Sequence, residues 1–225
     1  MTKPVVFCWS GGKDSALALD ALGSDREYEV VSLLTTLTRG YDRITMHGVR
    51  RSLLLQQVAA LGLPLDEVWI SPAAANAEYE TQMEAVLRQC QARGIDTVAF
   101  GDIFLADLRE YREKNLARLG MQAIFPIWRR DSTELIESFR QRGFKARLAC
   151  VDAGKLGRRF SGREIDANFL SDLPAGVDPC GENGEYHSFV YDGPLFRTPI
   201  ALTAGEIVER EGRFYIDLLP GTAAA

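Results

Sequence analysis

Apolar residues come along this chain in short dense runs, each closed by a polar turn that contains glycine. The first, Val5-Val6-Phe7-Cys8-Trp9, is rich in β-formers and stops at Ser10-Gly11-Gly12, which predicts a buried strand ending in a tight turn. Ala16, Leu17, Leu19, Ala21 and Leu22 then fill one broad face and Gly23 supplies a stop, so a helix follows at once. The alternation continues with a strand near 30–37, a polar segment running through His47, and a helix over 49–61 closed by Gly62. A short strand at 67–70, a helix over 78–92 ending at Gly94, and a strand at 96–100 halted by Gly101 complete the series.

Strands and helices that alternate through short connections build a parallel sheet covered on both faces, and such sheets bind ligands at the carboxyl ends of their strands. The glycine-punctuated turns after Trp9 and after Phe100 share that rim. Past residue 126 the pattern changes. A helix near 132–142 and a strand near 145–151 precede glycine-rich, charged sequence, and a helix over 164–170 is expected. Short runs at 186–191, 195–202 and 213–218 then read as antiparallel strands. The expected architecture is α/β: a doubly wound, mostly parallel, Rossmann-like sheet over residues 1–126, and a smaller α+β domain over 127–225.

With 46% hydrophobic and 25% charged residues in a chain of 225, the balance is that of a globular protein able to bury a sizeable core. No run approaches the ~18 apolar residues of a membrane span, and the opening segment turns polar too early for a signal peptide. A cytoplasmic protein with no membrane partner is expected. Cys8, Cys90, Cys150 and Cys180 form no Cys-x-x-Cys pair, which argues against zinc ribbons, iron–sulfur clusters and thioredoxin-type chemistry. A net charge of −5 gives no global attraction to phosphate backbones, so nucleic acid is not the expected partner.

Ser10-Gly11-Gly12-Lys13-Asp14-Ser15 falls between a buried strand and a helix start, where free N–H groups and the positive end of the helix dipole favour an anion. The glycines admit close approach and positive φ, Ser10 and Ser15 add hydroxyl donors, and Lys13 adds charge, all of which suit phosphate. Asp14 would repel a bare phosphate unless a divalent cation bridged them, so its presence predicts Mg²⁺ with Asp14 as a ligand. The common Gly-x-x-x-x-Gly-Lys-Ser/Thr loop does not match: Phe7 stands where its first glycine belongs, and Asp14 follows Lys13. No Gly-x-Gly-x-x-Gly fingerprint is present either.

The hexapeptide at the first strand–helix turn resembles the PP-loop of the ATP pyrophosphatase superfamily, whose fold is adenine nucleotide alpha hydrolase-like. A second segment, Asp178-Pro179-Cys180-Gly181-Glu182-Asn183-Gly184-Glu185-Tyr186 with Pro194-Leu195-Phe196 downstream, is similar to the signature of the diphthine–ammonia ligase family. Gly101-Asp102-Ile103, Arg109-x-x-x-Glu113-x-Asn115 and Pro126-Ile127-Trp128 stand where that family carries related sequence, so the resemblance covers nearly the whole chain. It implies an ATP-dependent ligase that adenylates a carboxylate, releases pyrophosphate and lets ammonia displace AMP. The implied acceptor is diphthine on translation elongation factor 2 in an archaeal or eukaryotic source. Arginine outnumbers lysine 21 to 5, as in GC-rich bacterial genomes, where the acceptor would be another carboxylate. The sequence leaves a homo-oligomer open. A nucleotide-binding sensor without turnover is the rival reading, and a PP-loop enzyme acting on tRNA comes third.

Lys13 and the loop amides are the expected stabilisers of pyrophosphate, and Gly101 and Asp102 are placed to reach the nucleotide, with helix capping as the alternative for Asp102. Glu182 and Glu185, on a turn loosened by Gly181 and Gly184, are candidates to orient the nitrogen nucleophile and accept its proton. Cys180, Gly181, Asn183, Gly184 and Tyr186, with His47 and Arg109, are the candidate acceptor contacts. Cys180 reads as a nucleophile or as a packed thiol, and no partner histidine is assignable. Arg109, Arg112 and Glu113 recur three or four residues apart, so an ion-pair network on a solvated face competes with phosphate binding.

Overall fold

The computed structural model describes residues 2–221. β1 (Lys3–Cys8) runs through the middle of a parallel sheet, and α1 (Lys13–Gly23) follows it after a four-residue turn. The first half continues with β2 (Tyr28–Thr38), β3 (Arg43–Ile44), α2 (Arg51–Leu61), β4 (Leu65–Ile70) and α3 (Asn76–Ala92). β5 (Thr97–Ala99), α4 (Ala106–Ala117) and β6 (Gln122–Ile124) complete it. The strand order is β4-β2-β1-β5-β6, all parallel, with β3 antiparallel on the far end of β2. The chain thus winds outward from β1 to β4 and then returns to β5 on the other side of β1. That reversal makes the β1/β5 junction the switch point, where an open α/β sheet takes its ligand.

Alternation along β1 explains why the strand reads as one apolar run. Val5 and Phe7 join a core with α1, α2 and the second sheet, while Val6 enters another with Leu87 of α3 and Leu116 of α4. The second half holds α5 (Ser132–Gln141), β7 (Lys145–Asp152), α6 (Ala167–Ser171), β8 (Tyr186–Asp192), β9 (Leu202–Arg210) and β10 (Arg213–Pro220). Its four strands form an antiparallel sheet in the order β8-β7-β10-β9. Tyr186, Phe189 and Val190 of β8 share a core with Phe7, and Asp217 of β10 pairs with Arg50 at 2.6 Å and Arg43 at 2.9 Å. The second sheet therefore sits against the α1/α2 side of the first.

Two expectations need correction. The strand expected at 195–202 does not form: residues 195–201 are not a strand, and β9 begins only at Leu202. Pro194 and Pro199 lack ladder N–H groups, and the segment instead buries Phe196 and Ile200 as anchors. The strand is β9, just beyond, whose mostly exposed residues give no apolar run to read. The helix expected over 164–170 begins only at Ala167, because Asp166 caps it by accepting from the Phe169 N–H at 2.7 Å. The short β3 and β6 were not anticipated. No helix among the described residues is long and apolar enough to cross a membrane.

Burial and capping set an order of stability effects around α5. Phe139 is fully buried and stacks on Phe144 at 5.1 Å, so Phe139→Ala should cost about 3–5 kcal/mol. Asp131, which caps the helix by accepting from the Glu134 N–H at 3.0 Å, should cost only about 1 kcal/mol on replacement by Ala. Urea denaturation of both variants checks the order.

Candidate active site

The turn from Trp9 to Ser15 is held by the second sheet. Gly11 has φ +76°, and its carbonyl accepts from the Val190 N–H at 2.8 Å and from Gln57 Nε2 at 3.0 Å. Gln57, fully buried on α2, also donates to the Val190 carbonyl at 2.6 Å and accepts from Trp9 Nε1 at 2.9 Å, so its amide is fully used. Gly12 sits in a tight place: a Cβ there would lie 3.1 Å from the Ser188 carbonyl oxygen and 3.2 Å from His47 Cε1. Ser188 Oγ accepts from the Lys13 N–H at 3.1 Å, and Ser10 and Ser15 join hydroxyls at 2.7 Å. The N–H groups of Asp14 and Ser15 lie in the first turn of α1 and have no intrahelical acceptor, and the Asp14 carboxylate reaches its own N–H.

Above this turn lies a cavity of about 420 Å³. Ser10, Gly12, Lys13, Asp14 and Ser15 form its floor, and Gly101 and Asp102 close it at the end of β5. Tyr79, Met83, Phe100, Leu105 and Leu108 contribute apolar lining, and Thr45, His47 and His187 contribute polar lining. Gly101 lets β5 approach α1, since a Cβ there would sit 3.0 Å from the Asp14 carbonyl carbon. The switch-point turns seen in the sequence therefore face one cavity.

The charges are paired and close together. Lys13 is 2% exposed, with Nζ 2.9 Å from Asp14 Oδ2 and 4.7 Å from the Tyr186 ring centre. Burial works against its charge, yet the Asp14, Cys180 and Glu182 groups outweigh that and hold the ammonium pKa up. Burial also pushes the Asp14 carboxyl up against the pull of Lys13. Burial and the nearby Asp14 push Glu182 up to about 7, although its Oε1 accepts from the Ile103 N–H at 2.7 Å. Arg112 Nε lies 2.9 Å from Asp102 Oδ2, so Asp102 holds a buried guanidinium and does not cap α4, whose N-cap is Leu105.

Not every residue singled out in the sequence reaches the cavity. His47, Gly181, Glu182 and Tyr186 line it with the loop residues. Glu185 instead turns inward, fully buried, and its Oε1 accepts from the Asp178 N–H at 3.3 Å and Asn183 Nδ2 at 3.2 Å. The Gly184 carbonyl accepts from Arg213 at 3.0 Å, so this half of the turn braces the loop. Cys180 is buried with Sγ 3.3 Å from the Ser132 carbonyl, and burial pushes its thiol pKa up, which suits a packed thiol. Arg109 pairs with Glu113 at 2.7 Å and stacks 4.7 Å from both Phe125 and Trp128.

Sequence reasoning missed Gln57, Arg112 as the partner of Asp102, and His187 with Ser188. Gln57 sits in an ordinary helical pattern and carries no signal. Tyr186-His187-Ser188 follows the second motif directly and could have been taken with it.

Asp14 Oδ1 is buried without a hydrogen-bond partner, which fits a cation ligand. Among the described residues no group of three or more His, Cys, Asp or Glu is placed to hold an ion alone. Such an ion would share its coordination with substrate phosphates, as magnesium commonly does.

The fold and cavity define a Rossmann-like α/β protein with a glycine-rich strand–helix turn at the switch point of its sheet. Two family models match, the diphthamide synthase N-terminal domain over residues 3–123 and the diphthamide synthase C-terminal domain over residues 131–219. The chain belongs to that family. It is 36% identical over 166 residues to the diphthine–ammonia ligase of Danio rerio, covering 66% of this chain and 64% of the relative. It is 27% identical over 177 residues to that of Homo sapiens, covering 76% of this chain and 66% of the relative. The match to the Schizosaccharomyces pombe protein, 32% over 119 residues, spans 20% of that longer chain. The aligned region is thus just under two thirds of these Danio rerio and Homo sapiens relatives.

Two measurements check the geometry. Gln57→Leu strands the Trp9 N–H and weakens the hold on two carbonyls, so it should cost about 1–3 kcal/mol by urea denaturation. Glu182 takes its extra folded-state proton between the ordinary value of 4.5 and about 7, so stability should fall as pH rises through that window, by up to about 3 kcal/mol. Glu182→Gln should remove that slope, read from urea midpoints across the same range.

Proposed function

We propose that the cavity binds ATP with its phosphates against residues 10–15 and forms an amide from a carboxylate and ammonia, releasing AMP and pyrophosphate. Relatives named diphthine–ammonia ligase support the reaction class. The observation that carries the reading is the buried Lys13 beside the orphan N–H groups of α1, at the switch point of the sheet. A carboxylate oxygen of the acceptor attacks the α-phosphorus while the bond from that phosphorus to the bridging oxygen breaks. The pyrophosphate formed takes up the negative charge. Lys13 and the N–H groups of Asp14 and Ser15 are aimed where that charge develops. Asp14 would hold Mg²⁺, which when bound offsets phosphate charge.

Ammonia then attacks the acyl carbon, AMP leaves, and the nitrogen sheds one proton. Glu182 is the group to take it, since it lines the cavity and its raised pKa lets it accept and return a proton near neutrality. Glu185 and Asp178 act as positioning residues. Asp178 Oδ2 accepts from the Cys180 and Glu182 N–H groups at 3.1 and 2.9 Å, and Glu185 accepts from the Asp178 N–H. Gly101 and Asp102 border the nucleotide, and the Asp102–Arg112 pair closes that side. The acceptor is a carboxylate such as that of a diphthine-modified protein.

The test is to incubate the protein with ATP, Mg²⁺, ammonia and diphthine-bearing protein or small carboxylates. Products should be AMP and pyrophosphate, and ADP would contradict the reading. Lys13→Met, checked for folding by near-ultraviolet circular dichroism, should lower the rate by about 10²–10³. Turnover at the wild-type rate would remove the loop from the mechanism.

A further inference from the structure

The chain has two histidines, one on each side of the junction between its sheets, and they stack with ring centres 4.5 Å apart and planes at 28°. Both line the cavity. His47 Nδ1 and His187 Nε2 are buried and have no hydrogen-bond partner. Buried polar atoms are nearly always paired, so two orphans on stacked rings in one cavity point to a ligand. The place is next to the anion turn: His47 Cε1 abuts Gly12, and Ser188, beside His187, accepts from the Lys13 N–H.

The charge around the pair selects the ligand. Burial lowers both histidine pKa values, His47 to about 4, and Lys13 adds to the effect on each ring. The stacked His47 and the Arg213 guanidinium act further on His187, and no carboxylate bears on either ring. The surroundings are electropositive, whereas Asp14, Asp102 and Asp178 act on Glu182 or Asp14 at the other side of Lys13. An uncharged ring in a positive setting, beside a helix start, suits an anion. The apolar lining at Tyr79, Met83 and Phe100 suits a purine, and the histidines lie beside the Gly12–Lys13 turn where phosphates would sit.

Given the nucleotide chemistry proposed above, we infer that the His47–His187 pair seats the β- and γ-phosphates of ATP and then the released pyrophosphate, through hydrogen bonds made at the two orphan ring nitrogens. One proton accompanies the anion. The Ser188 backbone acts on the His47 ring as a hydrogen-bond partner and Nδ1 has none, so with the ring hydrogen assigned to the Ser188 side Nδ1 presents a lone pair. A phosphate oxygen meets it only with a proton between them, taken from solvent onto the ring or the phosphate.

Titration calorimetry of the full chain with sodium pyrophosphate and with AMP, in buffers of different ionisation enthalpy, tests this. Wild-type protein should take up a proton on binding pyrophosphate. His47→Phe and His187→Phe keep the stacked rings but remove the nitrogens. Each should weaken pyrophosphate binding about tenfold or more, as expected for one hydrogen bond to a charged group, and His47→Phe should abolish proton uptake. AMP, which lacks the two outer phosphates, should bind both variants as it binds wild type, which also reports that they fold. Wild-type pyrophosphate affinity in both variants, or binding without proton uptake in wild type, would overturn the histidine seat alone. Failure of wild-type protein to bind pyrophosphate at all would overturn the anion turn and the proposed reaction with it.

Discussion

The Gly11 carbonyl is the point at which the two halves of the chain meet. A glycine at φ +76° turns that oxygen away from α1 and toward β8, where the Val190 N–H and the Gln57 amide hold it. Because those partners come from the second sheet and from α2, the turn is fixed from behind. The Lys13 N–H is taken by Ser188, and the Asp14 and Ser15 N–H groups have no acceptor elsewhere in the chain. A loop anchored through its own N–H groups would have nothing left for an anion. The antiparallel sheet therefore completes the site, and its strand β8 supplies Ser188 to the Lys13 N–H while its preceding turn supplies Glu182 to the Ile103 N–H.

The second constraint is electrostatic. Lys13 and Arg112 are the cations of the central cavity, and each is matched at 2.9 Å to a carboxylate, Asp14 or Asp102. Glu182 is an additional acid whose burial, with the charge of nearby Asp14, holds its proton on to about pH 7. A triphosphate brought into this neighbourhood meets the Lys13–Asp14 pair at the turn and the protonatable Glu182 on the loop before β8. Asymmetry of this kind separates a place for the leaving group from a place for proton transfer.

Much of this was legible in the sequence because it depends on local chemistry. The run from Val5 to Trp9, the glycines at 11, 12 and 101, and the alternation of strand and helix determine the sheet and its rim. The loop's residue types announce an anion without any tertiary knowledge. What stayed hidden depends on partners distant in the chain. Gln57 looks like any polar residue of α2 until Gly11 and Val190 are brought to it. Glu182 and Glu185 look equivalent in the motif, and only the fold turns one to the cavity and the other inward. Asp102 looks like a helix cap until Arg112, two turns and more along the chain, reaches it. β9 escaped because it buries little on either face, while the apolar Leu195–Phe196 and Ile200 suggested a strand that prolines forbid.

A crystal structure with Mg²⁺ and an ATP analogue blocked between the α- and β-phosphates would decide the matter. The triphosphate should lie over residues 10–15 with its oxygens within hydrogen-bond reach of the Asp14 and Ser15 N–H groups, and with the α-phosphorus open toward Glu182. Nucleotide bound elsewhere, with that turn empty or filled by its own side chains, would contradict it.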